Sequence, residues 1–293
     1  METAFFGPDG TLRNGWRALL FTLGAVVCNG AAFSLRLAVP WLGAPARWIP
    51  APWFSFLAFL FLTWSFLYVE DQPLASVGLG LDRRWGRQFL AGALGGCGLM
   101  ALVALVVFLA GGFHLVRNPA AGLGLLGTGA WLYLAVAFSE ELLFRGYLFQ
   151  RLEKALGRWR TQWLVALLFA AVHWGNPGMT GSTRILASLS IAMAGLLLGL
   201  CYLRTRSLAL PIGLHLGWNW AQGTLLGFGV SGIPNGGWWT PVFHGQPEWL
   251  TGGAFGLEAS LPCALVGAVA CLALARGLGG GNPANRIMGN SIK

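Results

Sequence analysis

The chain has 293 residues, of which 56% are hydrophobic and only 10% charged, whereas a soluble domain carries roughly 25% charged residues. A mean hydropathy of +0.64 is more apolar surface than a water-soluble core can bury, so a soluble globular enzyme is excluded and an integral membrane protein is predicted. The net charge of +9 would suit nucleic acid if it formed one stripe, but the basic residues are spread along the chain between apolar runs.

Near-continuous apolar runs lie at about 16–40, 51–69, 87–111, 121–142, 161–175, 184–202, 207–227 and 259–275. Most reach the ~20 residues that cross a bilayer, which predicts an all-α polytopic membrane protein with about eight transmembrane helices. The run at 161–175 is the shortest. The first run follows Arg13 and Arg17 and has no small-residue cleavage site behind it, so a span and not a cleavable signal is expected. Glu70 to Arg87 reads as an interfacial elbow ending in a basic cluster. The longest loop, Gly227 to Glu258, is rich in Gly, Pro and Trp and lacks Lys and Arg; it is either a plain connection or a cap over an outward-facing cavity. The tail Gly277 to Lys293 is expected to be disordered and cytoplasmic. With no internal repeat and no soluble segment of domain size, residues 1–293 are expected to form a single integral membrane domain.

Charge placement gives the orientation. With the N-terminus inside, the inner segments hold Arg13, Arg17, Arg83, Arg84, Arg87, Arg151, Lys154, Arg158, Arg160, Arg204, Arg206, Arg276, Arg286 and Lys293, and the outer ones only Arg36, Arg47, Arg117 and Arg184. This positive-inside asymmetry predicts both termini in the cytoplasm of a multi-pass protein of a bacterial inner or plasma membrane. The lipid bilayer is then the first partner, and no nucleic acid is needed to explain the basicity. Trp41, Trp48, Trp53, Trp85, Trp159, Trp238, Trp239 and Trp249 flank apolar runs, where aromatic belts sit. Cys28, Cys97, Cys201, Cys263 and Cys271 fall within apolar runs and read as small core residues.

Of ten acidic residues, eight fall in loops or at helix ends, and only Glu140 and Glu141 are deep in an apolar run. Of four histidines, His114 and His244 belong to outer segments, while His173 and His215 lie deep. An ionisable side chain in hydrocarbon is costly unless paired or facing a polar cavity, so the pair of glutamates marks a functional site. At 1.5 Å rise per residue, Glu140, His173 and His215 come out roughly 16, 20 and 14 Å from the inner surface, on three different helices. Similar depth is what a single site requires.

Spacing then suggests roles. Glu141 and Arg145, Phe169 and His173, and His215 and Asn219 are each four apart and share a helical face. Glu141 and Arg145 can neutralise each other, which leaves Glu140 free. A glutamate beside a histidine can take a proton from water, and a second histidine with an amide can stabilise the oxyanion formed when that water attacks a carbonyl. The same Glu140, His173 and His215 could instead form a two-His, one-carboxylate zinc site, although no His-Glu-x-x-His motif is present. A structural ion-pair cluster, or a proton relay of a transporter, would use similar residues; a transporter would be expected to show an internal repeat or broken helices.

The order Glu140-Glu-x-x-x-Arg145, Phe169-x-x-x-His173, His215-x-x-x-Asn219 resembles the three-motif signature of the CAAX protease and bacteriocin-processing (CPBP) family of intramembrane endopeptidases, which includes type II CAAX prenyl proteases. The resemblance covers about residues 130–221 and makes this the expected catalytic core. It implies Glu140 as the water-activating base with His173 as its partner, His215 and Asn219 as the oxyanion pair, and Glu141, Arg145 and Phe169 in support. It implies a peptide or membrane-protein substrate and leaves the cofactor open; the scarcity of carboxylates or hydroxyls near His173 and His215 beyond Ser139 and Asn219 favours a metal-free mechanism over zinc. The family also contains members tied to bacteriocin immunity and assembly, so an immunity or scaffold protein that keeps the site is the alternative within it.

Overall fold

A computed structural model describes residues 4–39 and 49–276. The sequence readings for Trp41, Arg47, Trp48 and the tail 277–293 lie outside the described residues.

Each predicted run coincides with helix. The helices are α1 (Asn14–Ala38), α2 (Ala51–Val69), α3 (Arg83–Leu109), α4 (Leu123–Arg145), α5 (Tyr147–Leu156), α6 (Arg158–Val172), α7 (Gly181–Thr205), α8 (Ala209–Asn219), the short α9 (Glu248–Thr251) and α10 (Leu261–Ala275). Five helical segments are long and apolar enough to cross a membrane: α1, α2, α3, α4 continued by α5, and α7. α6 and α10 have 15 residues each, and α8 has 11, prolonged by a π-helical turn, Trp220–Leu225. These three are shorter than the ~20 residues of a full span. Val26, Val27, Leu94, Val269 and Leu272 are exposed on the bundle surface, where hydrocarbon accepts an apolar belt that water would not.

Local chemistry sets the boundaries. The Asp82 side chain accepts a hydrogen bond from the Trp85 backbone N–H at 2.7 Å and caps α3. Ser260 caps α10 through the Cys263 N–H at 3.2 Å. Between α4 and α5, Gly146 turns out of the helix at ψ −127°. A Cβ there would lie 2.3 Å from the Leu142 carbonyl oxygen.

One expectation is corrected: the fold is not purely helical. Two strands, β1 (Phe113–Arg117) and β2 (Trp239–Phe243), pair antiparallel with Phe113 opposite Phe243 and Arg117 opposite Trp239. Arg117 stacks over the Trp238 ring at 4.0 Å and donates to the carbonyls of Trp238 and Ala121. The pairing ties the long loop 226–260 back to the α3–α4 connection, an association that neither short strand would keep alone.

The closest helix contact positions the site. α3 and α8 meet through Gly92 and Gly96 on one side and Gly213 and Gly217 on the other; a Cβ at Gly213 would fall 2.0 Å from the Phe89 carbonyl oxygen. Small residues four apart let two backbones touch, the packing used where hydrocarbon offers no hydrophobic drive between helices. The predicted elbow, a 3-10 turn at Leu74–Val77, braces the start of α8: Leu208 N–H donates to the Gly78 carbonyl at 3.0 Å.

The arginine-rich ends of the helices gather on one side. There Glu70 accepts from Arg17 at 2.9 Å and from Arg151 and Tyr147, joining α1, α2 and α5.

Candidate active site

α4 delivers three of the candidate residues. Glu141 and Arg145 are fully buried, and Arg145 Nη1 donates to Glu141 Oε1 at 3.2 Å. The guanidinium also donates through Nη2 to the Gly195 carbonyl of α7 at 3.0 Å and lies 4.7 Å from the centre of the Phe169 ring. Arg145 is therefore held by three helices, and its charge is balanced by a carboxylate, a carbonyl dipole and an aromatic face.

The second partner of Glu141 was not predicted. The same Oε1 lies 2.8 Å from His215 Nδ1 on α8. A carboxylate can only accept, so Nδ1 carries the proton and Nε2 is directed away from Glu141. Nε2 is 3.8 Å from Glu140 Oε2. That oxygen is buried and has no protein hydrogen-bond partner.

His173 stands at the end of α6, where the helix tightens into a 3-10 turn. Its Nδ1 donates to the Phe169 carbonyl at 2.6 Å, which leaves the Nε2 lone pair available. Phe169 packs edge-on to both histidines, at 4.9 Å from His173 and 6.3 Å from His215 between ring centres.

Glu140, Phe169, His173, His215 and Asn219 line one cavity of about 620 Å³. Glu141 and Arg145 lie behind its wall. Glu140 and His173 both line the cavity, and among the described residues no hydrogen bond or ion pair joins them.

Sequence reasoning missed Glu258, which it grouped with the carboxylates of loops and helix ends. Glu258 is only 7% exposed, on a 3-10 turn before α10, and it lines the same cavity. Its Oε2 accepts from the backbone N–H and from the hydroxyl of Ser231, both at 2.9 Å. Burial pushes the Glu258 carboxyl above the usual carboxylate range, against the opposing pull of the Ser231 hydrogen bonds and of His173. Ser231 itself has a left-handed backbone, φ +50°, held by this contact. The loop is thus a cap and not a plain connection: Ser231, Ile233 and Asn235 line the cavity, and Tyr133 of α4 donates to Asn235 Oδ1 at 2.8 Å. The one signal in the sequence was an acid placed next to a helix start in a loop without basic residues.

The zinc alternative can be judged on the donors. Among the described residues no three His, Cys, Asp or Glu side chains are grouped so as to hold a metal ion. Of the three residues proposed as ligands, Glu140 and His215 are 3.8 Å apart, and His215 already gives its Nδ1 to Glu141 at 2.8 Å.

The arrangement is that of a polytopic helical protein with a carboxylate and two histidines around an interior cavity. Residues 122–221 match the family of Rce1-like type II CAAX prenyl endopeptidases, a protease family. The matched segment holds all three motifs, from Glu140 to Asn219. No curated protein matches the chain.

Proposed function

We propose that the chain is an intramembrane endopeptidase that hydrolyses a peptide bond in a peptide or membrane-protein substrate without a covalent intermediate. The observation that carries this reading is that Glu140, His173, His215 and Asn219, from three helices, line one cavity inside the segment that matches a protease family. Residues 130–221 are its catalytic core. The eight helices cross the membrane in alternation, with both termini in the cytoplasm.

In this mechanism water lies between Glu140 and His173. Its oxygen attacks the scissile carbonyl carbon, and its proton passes to Glu140. The carbonyl π pair moves onto oxygen, and the oxyanion accepts from Asn219 Nδ2–H and His215 Nε2–H. His215 already donates from Nδ1 to Glu141, so it acts as the imidazolium, whose charge the Glu141 carboxylate balances. Collapse of the tetrahedral intermediate breaks the C–N bond, and the proton held by Glu140 goes to the leaving amine. Arg145 and Phe169 fix Glu141 and the rings. No step passes through a metal.

The test compares membrane and secreted peptides of cells carrying the wild-type or the Glu140→Gln protein. Cleavage products present only with wild type, and formed by purified protein after exhaustive chelation, are expected. Unchanged products with Glu140→Gln would overturn the assignment of the base. Activity lost on chelation and restored by added zinc would overturn the metal-free route.

A further inference from the structure

A second cavity, of about 1820 Å³, lies among the N-terminal segment, α1, α2 and α5, and the proposed reaction uses none of its residues. We infer that it binds the phosphate of an anionic membrane phospholipid, whose acyl chains lie against the apolar flank of α1 and α2.

The N-terminal residues fold back at the start of α1 and contribute to the lining. Phe6 pairs with Leu12, and the Gly7 N–H donates to the Thr11 carbonyl at 2.9 Å. Trp16 Nε1 donates to the Ala4 carbonyl at 2.9 Å, and its ring stacks on Phe5 at 4.9 Å.

Charge decides the kind of ligand. Arg13, Arg17, Arg151 and Lys154 line the cavity together with three carboxylates, Asp9, Glu70 and Asp71, which leaves the lining one positive charge in excess. Two of the acids are already engaged. Glu70 Oε1 accepts from Arg17 at 2.9 Å and from Tyr147, and its Oε2 accepts from Arg151, so two guanidinium groups share one carboxylate. Asp9 accepts from the Thr11 backbone N–H at 3.1 Å and from its hydroxyl at 2.9 Å. A guanidinium has five N–H donors in a fork that fits phosphate oxygens, and a shared acid occupies few of them. Lys154 is exposed and has no ion-pair partner among the described residues. The free acid Asp71 limits the excess to a single charge, which matches a phosphodiester and disfavours a multiply charged anion.

The apolar part of the lining decides between a lipid and a free phosphate. Leu19, Leu20 and Val69 line the same cavity and are exposed, on two helices long and apolar enough to cross a membrane. A water-soluble anion leaves that strip uncovered, whereas acyl chains continuing from the phosphate cover it. Basic pockets between membrane helices hold lipid headgroups in this way, and a tryptophan such as Trp16 suits the headgroup level.

The experiment titrates the purified full chain, in a nonionic detergent at constant ionic strength, with phosphatidylglycerol, phosphatidylcholine or inorganic phosphate, and reads the thermal unfolding midpoint. Phosphatidylglycerol should raise the midpoint to a saturating value. Phosphatidylcholine, whose choline cancels the phosphate charge, and inorganic phosphate, which has no chains, should not. Lys154→Ala should weaken the apparent affinity for phosphatidylglycerol roughly 5-fold, the worth of one cation beside an anionic lipid. Arg84→Ala removes an exposed cation at the start of α3 that does not line the cavity, and it should leave the titration unchanged. An equal response to phosphatidylcholine or to inorganic phosphate would overturn the inference, the latter by showing a free-phosphate site. So would an unchanged affinity in Lys154→Ala, an equal loss in Arg84→Ala, or no response to phosphatidylglycerol. No readout depends on cleavage, so the result is separate from that of the protease reading.

Discussion

Gly213→Ala adds one methyl group where α8 touches α3, two residues from His215. The new Cβ would stand 2.0 Å from the Phe89 carbonyl oxygen, whereas a carbon–oxygen contact relaxes only at about 3.3 Å. A helical carbonyl cannot rotate away, so α8 must retreat by more than ~1 Å. Overpacking of this kind costs about 1–3 kcal/mol or more, offset by the ~1 kcal/mol that alanine gains over glycine in a helix. The net stability loss should be about 1 kcal/mol. The effect on chemistry should be larger. His215 Nδ1 sits 2.8 Å from Glu141 Oε1, and a shift of ~1 Å takes it beyond hydrogen-bond distance; misplacement of a reacting group on this scale costs ~10²-fold in rate. Gly95→Ala is the control, since nothing lies within 4 Å of its Cβ. Thermal unfolding in detergent and cleavage normalised to folded protein give the two readouts. A Gly213→Ala protein with wild-type midpoint and turnover would refute the claim that this backbone contact sets the position of His215.

Arg145→Met leaves the fully buried Glu141 carboxylate uncompensated and should cost about 3–5 kcal/mol; wild-type yield and unfolding midpoint would count against it. Glu141→Gln keeps volume but weakens the hold on His215, so turnover should fall by more than stability does, and unchanged turnover would show that His215 is oriented by something else. Glu258→Gln tests the third carboxylate. Its folded pKa is raised by burial, so the native state favours the protonated form, and the associated stability is lost as pH rises from the usual carboxylate value through the raised one. The glutamine variant should therefore raise the unfolding midpoint near pH 8 and change it little near pH 4; an equal shift at both would contradict the sign.

What the sequence made legible was what local rules encode. Apolar run length placed α1, α2, α3, α4, α6, α7, α8 and α10 but not the amphipathic α5, because hydrocarbon leaves a chain few other ways to satisfy its backbone. Four-residue spacing found the Glu141–Arg145 pair, since both residues sit on one helix. The strands β1 and β2 were not legible: each has five residues, and they pair across more than a hundred positions of sequence. Glu258 was hidden for the same reason, since its partner Ser231 lies 27 positions earlier in a loop that folds back onto the cavity. Gly92-x-x-x-Gly96 and Gly213-x-x-x-Gly217 were present in the letters, but only the structure pairs them.

Glu141 shows why adjacent, chemically identical residues come to differ. A helix turns about 100° per residue, so Glu140 and Glu141 face different neighbours: one the cavity, the other the interface of α4, α7 and α8. From one helix alone, Arg145 appears to neutralise Glu141 and nothing more. With α8 in place, the same Oε1 receives both Arg145 and His215. The arginine then fixes the acceptor that fixes the imidazole, because Arg145 is itself tied to the Gly195 carbonyl and to the face of Phe169. The packing of α7 and α6 is in this way transmitted to the direction of His215 Nε2. A carboxylate with only its own arginine would be neutral but free to turn; one that is shared holds the ring toward the cavity.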